Sequence, residues 1–507
     1  MSALLLTGGS YTLGASPALA AACTAGTESD FNGDGIRDVA IADPQAPVSG
    51  KDAAGLVRIV LGGGKGTSEV SQAMSTMNAS PETADQFGYA IATFDANADG
   101  CTDLVVGTPY EDVTVSGTTQ ADAGAVYIVH GSPTGIGPTA TVDGFSQSGF
   151  VSTATTEAGD LFGFALAAGK NPSNNPYLAI GGPGEDVGAA VDAGGVHVME
   201  GTAKGSVHQD VDGVAGVAEN NDRFGASLAA TSRFVAIGIP GEAIGTQAFA
   251  GGVGVFNHTL TTADALDQLV GLDENHPALT SGTAESGDRF GTALSILPYR
   301  ALWAGSSGDV LLAVGAPNED VGAVSDAGAV TVLEVGTRGA VSEVNLIDRM
   351  TGGADDATGV DGEPVVGDFF GQRVSLANLA PDAPFTTNIK LAVGVPNQEV
   401  GAAENAGAVH ILRPGSSPGT GDKILHRGDG ILPHAAEARD FTGMALTGTS
   451  ESLYIGVPYS KTAGLQKGIA YSVPWTLIND GTGSVTTYRP GADGLPDVGK
   501  AFGSVIR

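Results

Sequence analysis

Residues 85–131 read DQFGYAIATFDANADGCTDLVVGTPYEDVTVSGTTQADAGAVYIVHG, and the pattern of this stretch recurs along the chain. Phe87-Gly88 opens a short apolar run. An oxygen-rich loop follows from Asp95 to Asp103. Leu104-Val105-Val106 come next and stop at Gly107-Thr108-Pro109. After a polar loop, Ala123-Gly124 leads into Ala125-Val126-Tyr127-Ile128-Val129. Apolar runs this short, rich in β-branched residues and bounded by Gly and Pro, read as strands. Their apolar residues are consecutive rather than alternating, as expected where both faces of a sheet are covered.

The copies can be counted. Phe-Gly returns at Phe162-Gly163, Phe224-Gly225, Phe290-Gly291, Phe370-Gly371 and Phe502-Gly503, with Phe441-Thr442-Gly443 as a stretched copy. The Gly-x-Pro stop returns at Pro183, Pro240, Pro317, Pro396 and Pro458, with Ala42-Asp43-Pro44 as a weaker copy. Ala-Gly before the next run returns at Gly55, Gly194, Gly251, Gly328 and Gly407. That makes seven units, and internal repetition decides architecture ahead of other signals. No sustained helical period is present, so the chain reads all-β. The unit that opens at Asp30 lacks a Phe-Gly strand, while the chain end holds a spare one at 501–506. The expectation is a closed ring in which 501–506 joins the blade that contains 38–42, because closure removes exposed sheet edges.

Phe-Gly, a Gly-x-Pro stop and a D-x-[DN]-x-D-G-x-x-D loop between them resemble the FG-GAP repeat family. That is the repeat of integrin α-subunit N-terminal propellers and of many secreted bacterial proteins. The resemblance runs over about 30–507 and implies a seven-bladed β-propeller of four-stranded antiparallel blades, one domain over 23–507.

Two loops carry the clearest chemistry. Ca²⁺ takes about six to eight hard oxygens, and alternate residues of a tight loop place side-chain oxygens together. Asp30, Asn32 and Asp34 sit at such positions, Gly35 permits the turn, Ile36 offers its carbonyl, and Asp38 closes the set. Asp95, Asn97, Asp99, Gly100, Cys101 (through its carbonyl) and Asp103 repeat the arrangement. In the family these positions are calcium ligands, so two Ca²⁺ sites are expected. The bland alternative is a pair of acidic hairpins with Asx turns and no metal. The other units have lost the loop.

The chain has 507 residues and a net charge of −33. Acid at this density repels nucleic acid and anionic membrane, which excludes both as expected partners. Residues 1–22, with Leu4-Leu5-Leu6 and a small-residue run ending Ala20-Ala21-Ala22, read as a secretory signal peptide truncated at its start, because no basic segment precedes the apolar one. A lipid anchor on Cys23 is disfavoured, since Ala20 stands where that signal wants Leu or Val. No other segment has the ~20 apolar residues of a membrane helix. Cys23 and Cys101 are the two cysteines, and an even count in an exported chain predicts a disulfide between them.

Paired acids recur before Phe-Gly (Glu82/Asp85, Glu157/Asp160, Glu219/Asp222, Glu285/Asp288) and after the stops (Glu111, Glu185, Glu242, Glu319). A catalytic pair is needed once, so repetition favours bonds to turn N–H groups. Arg427-Gly428-Asp429 and the G-x-S-x-G match at Gly415–Gly419 read as chance. The functional expectation is a secreted, monomeric, calcium-binding propeller that acts as an extracellular binding or adhesion module for a protein or carbohydrate ligand, more a binder than an enzyme. The alternatives are an extracellular hydrolase of phosphodiesterase, phospholipase or esterase type with its site on the propeller face, or a lectin.

Overall fold

The computed structural model describes residues 23–24, 28–260, 266–280, 282–300, 308–349, 360, 362–383, 385–416, 421–462 and 464–507. The segment read as a signal peptide, 1–22, lies outside them, as do residues 417–420 of the G-x-S-x-G match. Among the described residues the strands form seven four-stranded antiparallel sheets, with two small hairpins besides. The second sheet sets the pattern: Ala90–Phe94, Asp103–Thr108, Ala125–Val129 and Val142–Phe145 follow in sequence and pair in that order. The first strand of each sheet touches the first strand of the next, and these contacts run round a full circle. The chain is a seven-bladed β-propeller with its inner strands lining a central channel of about 990 Å³.

Each blade is too thin to hold a core of its own, so the core lies in the gaps between blades. The second strands Asp103–Thr108, Phe234–Ile239 and Asp309–Ala316 are buried along their whole length, as the unbroken apolar runs predict. In six of the seven gaps one Phe fills the space. Phe87, Phe162, Phe224, Phe290, Phe370 and Phe502 are each fully buried. Phe87 packs on Val57 and Ile59 of blade one and on Leu104 and Val106 of its own blade.

The backbone fastens each gap as well. The Phe87 N–H donates to the Ala54 carbonyl at 2.9 Å, across to the preceding blade, and the Gly88 N–H donates to Gly107 in its own blade at 3.1 Å. The same pair of bonds recurs at Phe162/Gly163, Phe224/Gly225 and Phe290/Gly291. A glycine precedes each third strand (within Ala-Gly in six blades and Lys467-Gly468 in the seventh) because the backbone of the next entry turn lies directly on it: a Cβ on Gly55 would stand 2.3 Å from the Phe87 carbonyl oxygen, and one on Gly124 equally close to that of Phe162. Both glycines also hold φ near +85°.

Blade one is completed by the chain end. Val505–Ile506 pairs antiparallel with Val39–Asp43, in the register Ile41↔Ile506 and Ala42↔Val505. The Arg507 and Ala40 backbones exchange two bonds, and the Gly503 N–H donates to Ala42. Phe502 packs with Val39 and Ile41 of blade one and with Tyr454 and Ala470 of blade seven. The weaker Gly-x-Pro copy has a use here: both carboxylate oxygens of buried Asp43 accept the N–H groups of Lys500 and Ala501 at 2.9 Å.

Blade seven departs from the regular unit in two places. At the stretched copy it is Thr442, not Phe441, that takes the buried place, its N–H donating to Ala406. Phe441 falls on the residue between Asp440 and that place, and packs edge-on against Tyr459. The segment after residue 474 begins with a short helix, Trp475–Asp480, and only then reaches the outer strand Thr486–Tyr488. A second short helix is Gln147–Phe150.

Deleting 500–507 is expected to open the ring, and Phe502→Ala alone to lower the unfolding free energy by about 3–5 kcal/mol, the usual cost of a buried Phe. Denaturant melts of both variants check this; a truncated chain with the wild-type midpoint would contradict closure.

Candidate metal loops and interaction face

In an up-and-down blade, the loops from strand one to two and from three to four share one end. The entry turns and the loops from strand two to three share the other. The two oxygen-rich loops therefore sit on one face, and the Asp-x-Phe-Gly entry turns sit on the opposite face.

The two loops match bond for bond. In the first, Asp30 accepts from the Asp34 and Gly35 N–H groups at 3.0 and 2.7 Å, Asn32 Oδ1 from Asp34 at 3.2 Å, and Asp34 Oδ1 from Ile36 at 2.9 Å. In the second, Asp95 accepts from Asp99 and Gly100 at 3.1 and 3.3 Å, Asn97 Oδ1 from Asp99 at 3.0 Å, and Asp99 Oδ1 from Cys101 at 2.8 Å. Gly35 and Gly100 hold φ of 84° and 90°, which explains the glycine at that position. Asp38 and Asp103 are fully buried. Asp38 accepts from Phe31 and Gly62, and Asp103 from Ala96 and Gly131, so each ties its loop to a neighbouring turn. Burial pushes the Asp38 carboxyl above its usual range. A lysine reaches each loop: Lys65 pairs with Asp34 at 2.5 Å and Lys170 with Asp95 at 3.0 Å.

The loops are also joined to each other. The Thr102 N–H donates to the Asp30 carbonyl at 2.9 Å, and Thr102 Oγ1 accepts from the Asp30 N–H at 3.2 Å. Cys23 and Cys101 form the predicted disulfide, with Cα atoms 5.1 Å apart. Cys23 lies against Gly33 so closely that a Cβ there would meet the Cys23 side chain at 2.3 Å. One cystine thus ties the N-terminal segment to both loops. It spans 78 residues of sequence, so Cys23→Ser is expected to cost about 4–5 kcal/mol by the chain-entropy account. Equilibrium urea unfolding measures this, and an unchanged midpoint would contradict it.

The predicted ligands are thus placed on one face with hard oxygens in both loops. Their carboxylates are not gathered tightly. Among the described residues, the side-chain groups that bring three acidic or thiol ligand atoms within 4.8 Å are Cys23/Asp99/Cys101, whose sulfurs are joined to each other, and Glu274/Asp288/Glu319.

The recurring acids lie in the gaps on the other face, and their role is structural, as repetition implied. The Asp two residues before the buried Phe (or, in blade seven, before Thr442) accepts an N–H from the residue three before it, at Asp85, Asp160, Asp222, Asp288 and Asp440. The Glu after each stop meets a residue that sequence reading did not single out. It is the second residue beyond the outer strand of the preceding blade. Gln72, Gln147 and Gln209 there donate to Glu111, Glu185 and Glu242. In the next two gaps after Glu274 the position is Arg, and Arg349 and Arg427 pair with Asp368 and Asp440. Arg427 is therefore buried inside a gap, so the Arg-Gly-Asp tripeptide does not offer its guanidinium to solvent, although Gly428 is exposed. The position shows no period until the ends of the outer strands are known, which is why the sequence hid it.

Burial pushes Glu111 and Asp160 up to about 8 and Glu185 and Glu242 to about 7. A carboxyl raised in the fold contributes stability while protonated. That contribution is present below the ordinary value near 4 and is lost as pH climbs to the raised one. Stability measured in chelator is expected to fall between about pH 5 and about pH 8. Glu111→Gln keeps an acceptor for Gln72 and should flatten part of that slope; an unaltered profile would show that Glu111 does not titrate in this range.

The entry turns also shape the channel mouth. Their middle residues are left-handed, with φ of 56° at Gln86, 59° at Arg223, 57° at Arg289 and 55° at Phe369. Non-glycine residues pay for that conformation. All four line the channel, together with Tyr89, Phe164, Arg373 and Tyr459. Tyr89 packs on Phe164 and Tyr110, with ring centroids 4.8 and 5.7 Å apart. Arg289 lies over the exposed Phe249 ring at 5.7 Å, beside a smaller pocket of about 400 Å³ that Arg223 also lines. On a chain of net charge −33, this mouth gathers three arginines with aromatic rings.

Comparison with known proteins bears on this arrangement. The FG-GAP repeat profile matches residues 87–129, and an FG-GAP-like repeat profile matches residues 30–106. Integrin alpha-PS2 of Drosophila melanogaster is 34% identical over 169 residues, which is 31% of this chain and 11% of the relative. The chain thus spans about a tenth of the length of that relative.

Proposed function

We propose that this chain, which carries FG-GAP repeats in a seven-bladed propeller, is a secreted, calcium-binding module that holds an extracellular protein ligand on its entry-turn face. The observation that carries the reading is the channel mouth. Arg223, Arg289 and Arg373 stand among Tyr89, Phe164 and Tyr459 on one face of a strongly acidic molecule. Arginine and aromatic side chains are the usual anchors of protein interfaces, and guanidinium groups suit carboxylates in a paired geometry. An acidic segment of a protein partner fits this mouth, where the rest of the surface would repel it. The similarity to an integrin α-chain supports a protein ligand; a glycan stacking on the Tyr89/Phe164 rings is the second reading, favoured by that aromatic pair alone.

Calcium belongs to the opposite face in this proposal. Asp30, Asn32, Asp34, the Ile36 carbonyl and Asp38 supply one all-oxygen set, and Asp95, Asn97, Asp99, the Cys101 carbonyl and Asp103 supply the other. Hard oxygens at alternate loop positions with a left-handed glycine fit Ca²⁺. Bound ion would replace backbone N–H groups as the partner of these carboxylates and so brace the seam between blades one and two. The two sets share Thr102 and the cystine as fixtures, so the ions would stabilise one seam together.

Ca²⁺ at about 100 times its Kd is expected to add about 2.7 kcal/mol per site. Elemental analysis should lose one ion for Asp34→Ala and one for Asp99→Ala, and an unchanged melting temperature in chelator with no bound calcium would end the calcium reading. For the ligand, affinity capture from the native extracellular milieu is compared between wild type and Arg289→Glu/Arg373→Glu. Loss of the captured protein in the charge-reversed variant supports the mouth, and equal capture removes it.

A further inference from the structure

We propose that the gap between blades four and five binds a hard divalent cation of Ca²⁺ size on the carboxylates of Glu274, Asp288 and Glu319. This site goes beyond the two loops and lies on the opposite face from them. One ligand oxygen from each of the three residues lies within 4.8 Å of the others. Ca²⁺–O distances of ~2.3–2.6 Å allow two ligands of one ion to stand up to about 5 Å apart, whereas Mg²⁺ at ~2.0–2.1 Å brings them within about 4.2 Å. The spacing therefore favours the larger ion.

The other gaps act as internal controls. The position of Glu274 is held by Gln in three of them, whose amide N–H group donates to the facing Glu. It is held by Arg in two more, whose charge cancels that of the facing Asp. Only with glutamate here, among these six gaps, does the position bring neither a hydrogen-bond donor nor a positive charge, and the three side chains carry three negative charges if ionised. Glu274 is 2% exposed, and its Oε2 has no hydrogen-bond partner. Glu319 Oε2, on the facing blade, has none either. A buried carboxylate oxygen without a donor is costly, and it is held in place here by two packed blades. Asp288 accepts the Glu285 N–H, and the Glu274 and Asp288 carboxyls stand close enough to share a proton between them when no ion is bound. The charges that act on the cluster from around it are negative as well: Asp273 beside Glu274, Glu285 and Asp320 on the turns of blade five, and Asp348 beyond its outer strand. A divalent ion satisfies the unpartnered oxygens and offsets the charge in one step.

The test is Glu274→Gln, which installs the amide already present in three sister gaps and so is compatible with the fold. Equilibrium dialysis with elemental analysis counts Ca²⁺ per chain. The variant is expected to bind one ion fewer than wild type, and to melt above wild type in chelator because like charge is removed. Equal counts in the two proteins overturn the proposal and assign the cluster to shared protons instead. The loop variants Asp34→Ala and Asp99→Ala keep the two readings apart: a loss for Glu274→Gln with none for the loops supports this site and ends the other, and the reverse does the opposite. As a measurement that needs no variant, crystals of the wild-type chain soaked in Mn²⁺ should show an anomalous peak among the three carboxylates, and none there would overturn the site.

Discussion

The seating of each entry turn on the glycine that precedes the third strand of the blade before it carries the rest of the molecule. A four-stranded sheet this narrow cannot bury its own faces, so every blade depends on its neighbours. The Phe side chain fills the gap, its N–H is bonded to the blade behind, and the glycine after it is bonded within its own blade. A glycine opposite is the only residue that leaves room for that backbone. Because each blade needs this contact on both sides, the row of blades has no acceptable end, and a ring follows. The chain end supplies the missing turn for blade one, where Asp43 holds it by two N–H groups.

The gaps are apolar inside and polar where the entry turns emerge. At that rim six of the seven gaps solve the same problem in one of three ways. Three use a Gln–Glu bond beside an Asp, two use an Arg–Asp ion pair, and one sets three acids together. Raised carboxyl values at these places come first from loss of water and then from the neighbouring acids. Such buried polar contacts stabilise weakly and matter more for holding one arrangement.

The two faces divide the labour. One carries paired oxygen-rich loops, knitted by Thr102 and by a cystine across adjacent blades. The other carries arginine and aromatic side chains thrown toward the channel by left-handed turn residues. On the proposed reading, the first face is the rigid support and the second the one that meets the ligand.

Repetition made most of this legible in advance. The number of blades, the buried Phe, the joining of 501–506 to 38–42 and the matched loops follow from local signals that repeat, because each unit obeys the same backbone constraint; the disulfide followed from the count of two cysteines. Register in the imperfect unit did not follow: Phe441 and Thr442 compete for one place, and only the bond from Thr442 to Ala406 decides it. The rim residues Gln72, Gln147, Gln209, Glu274, Arg349 and Arg427 could not be grouped from the sequence, since outer strands vary in length and the loops before them vary more. Their partners lie in the next blade, so which charges meet is a fact of tertiary packing. For the same reason the arginines of the mouth, spread over three blades in the sequence, become one surface only when the ring closes.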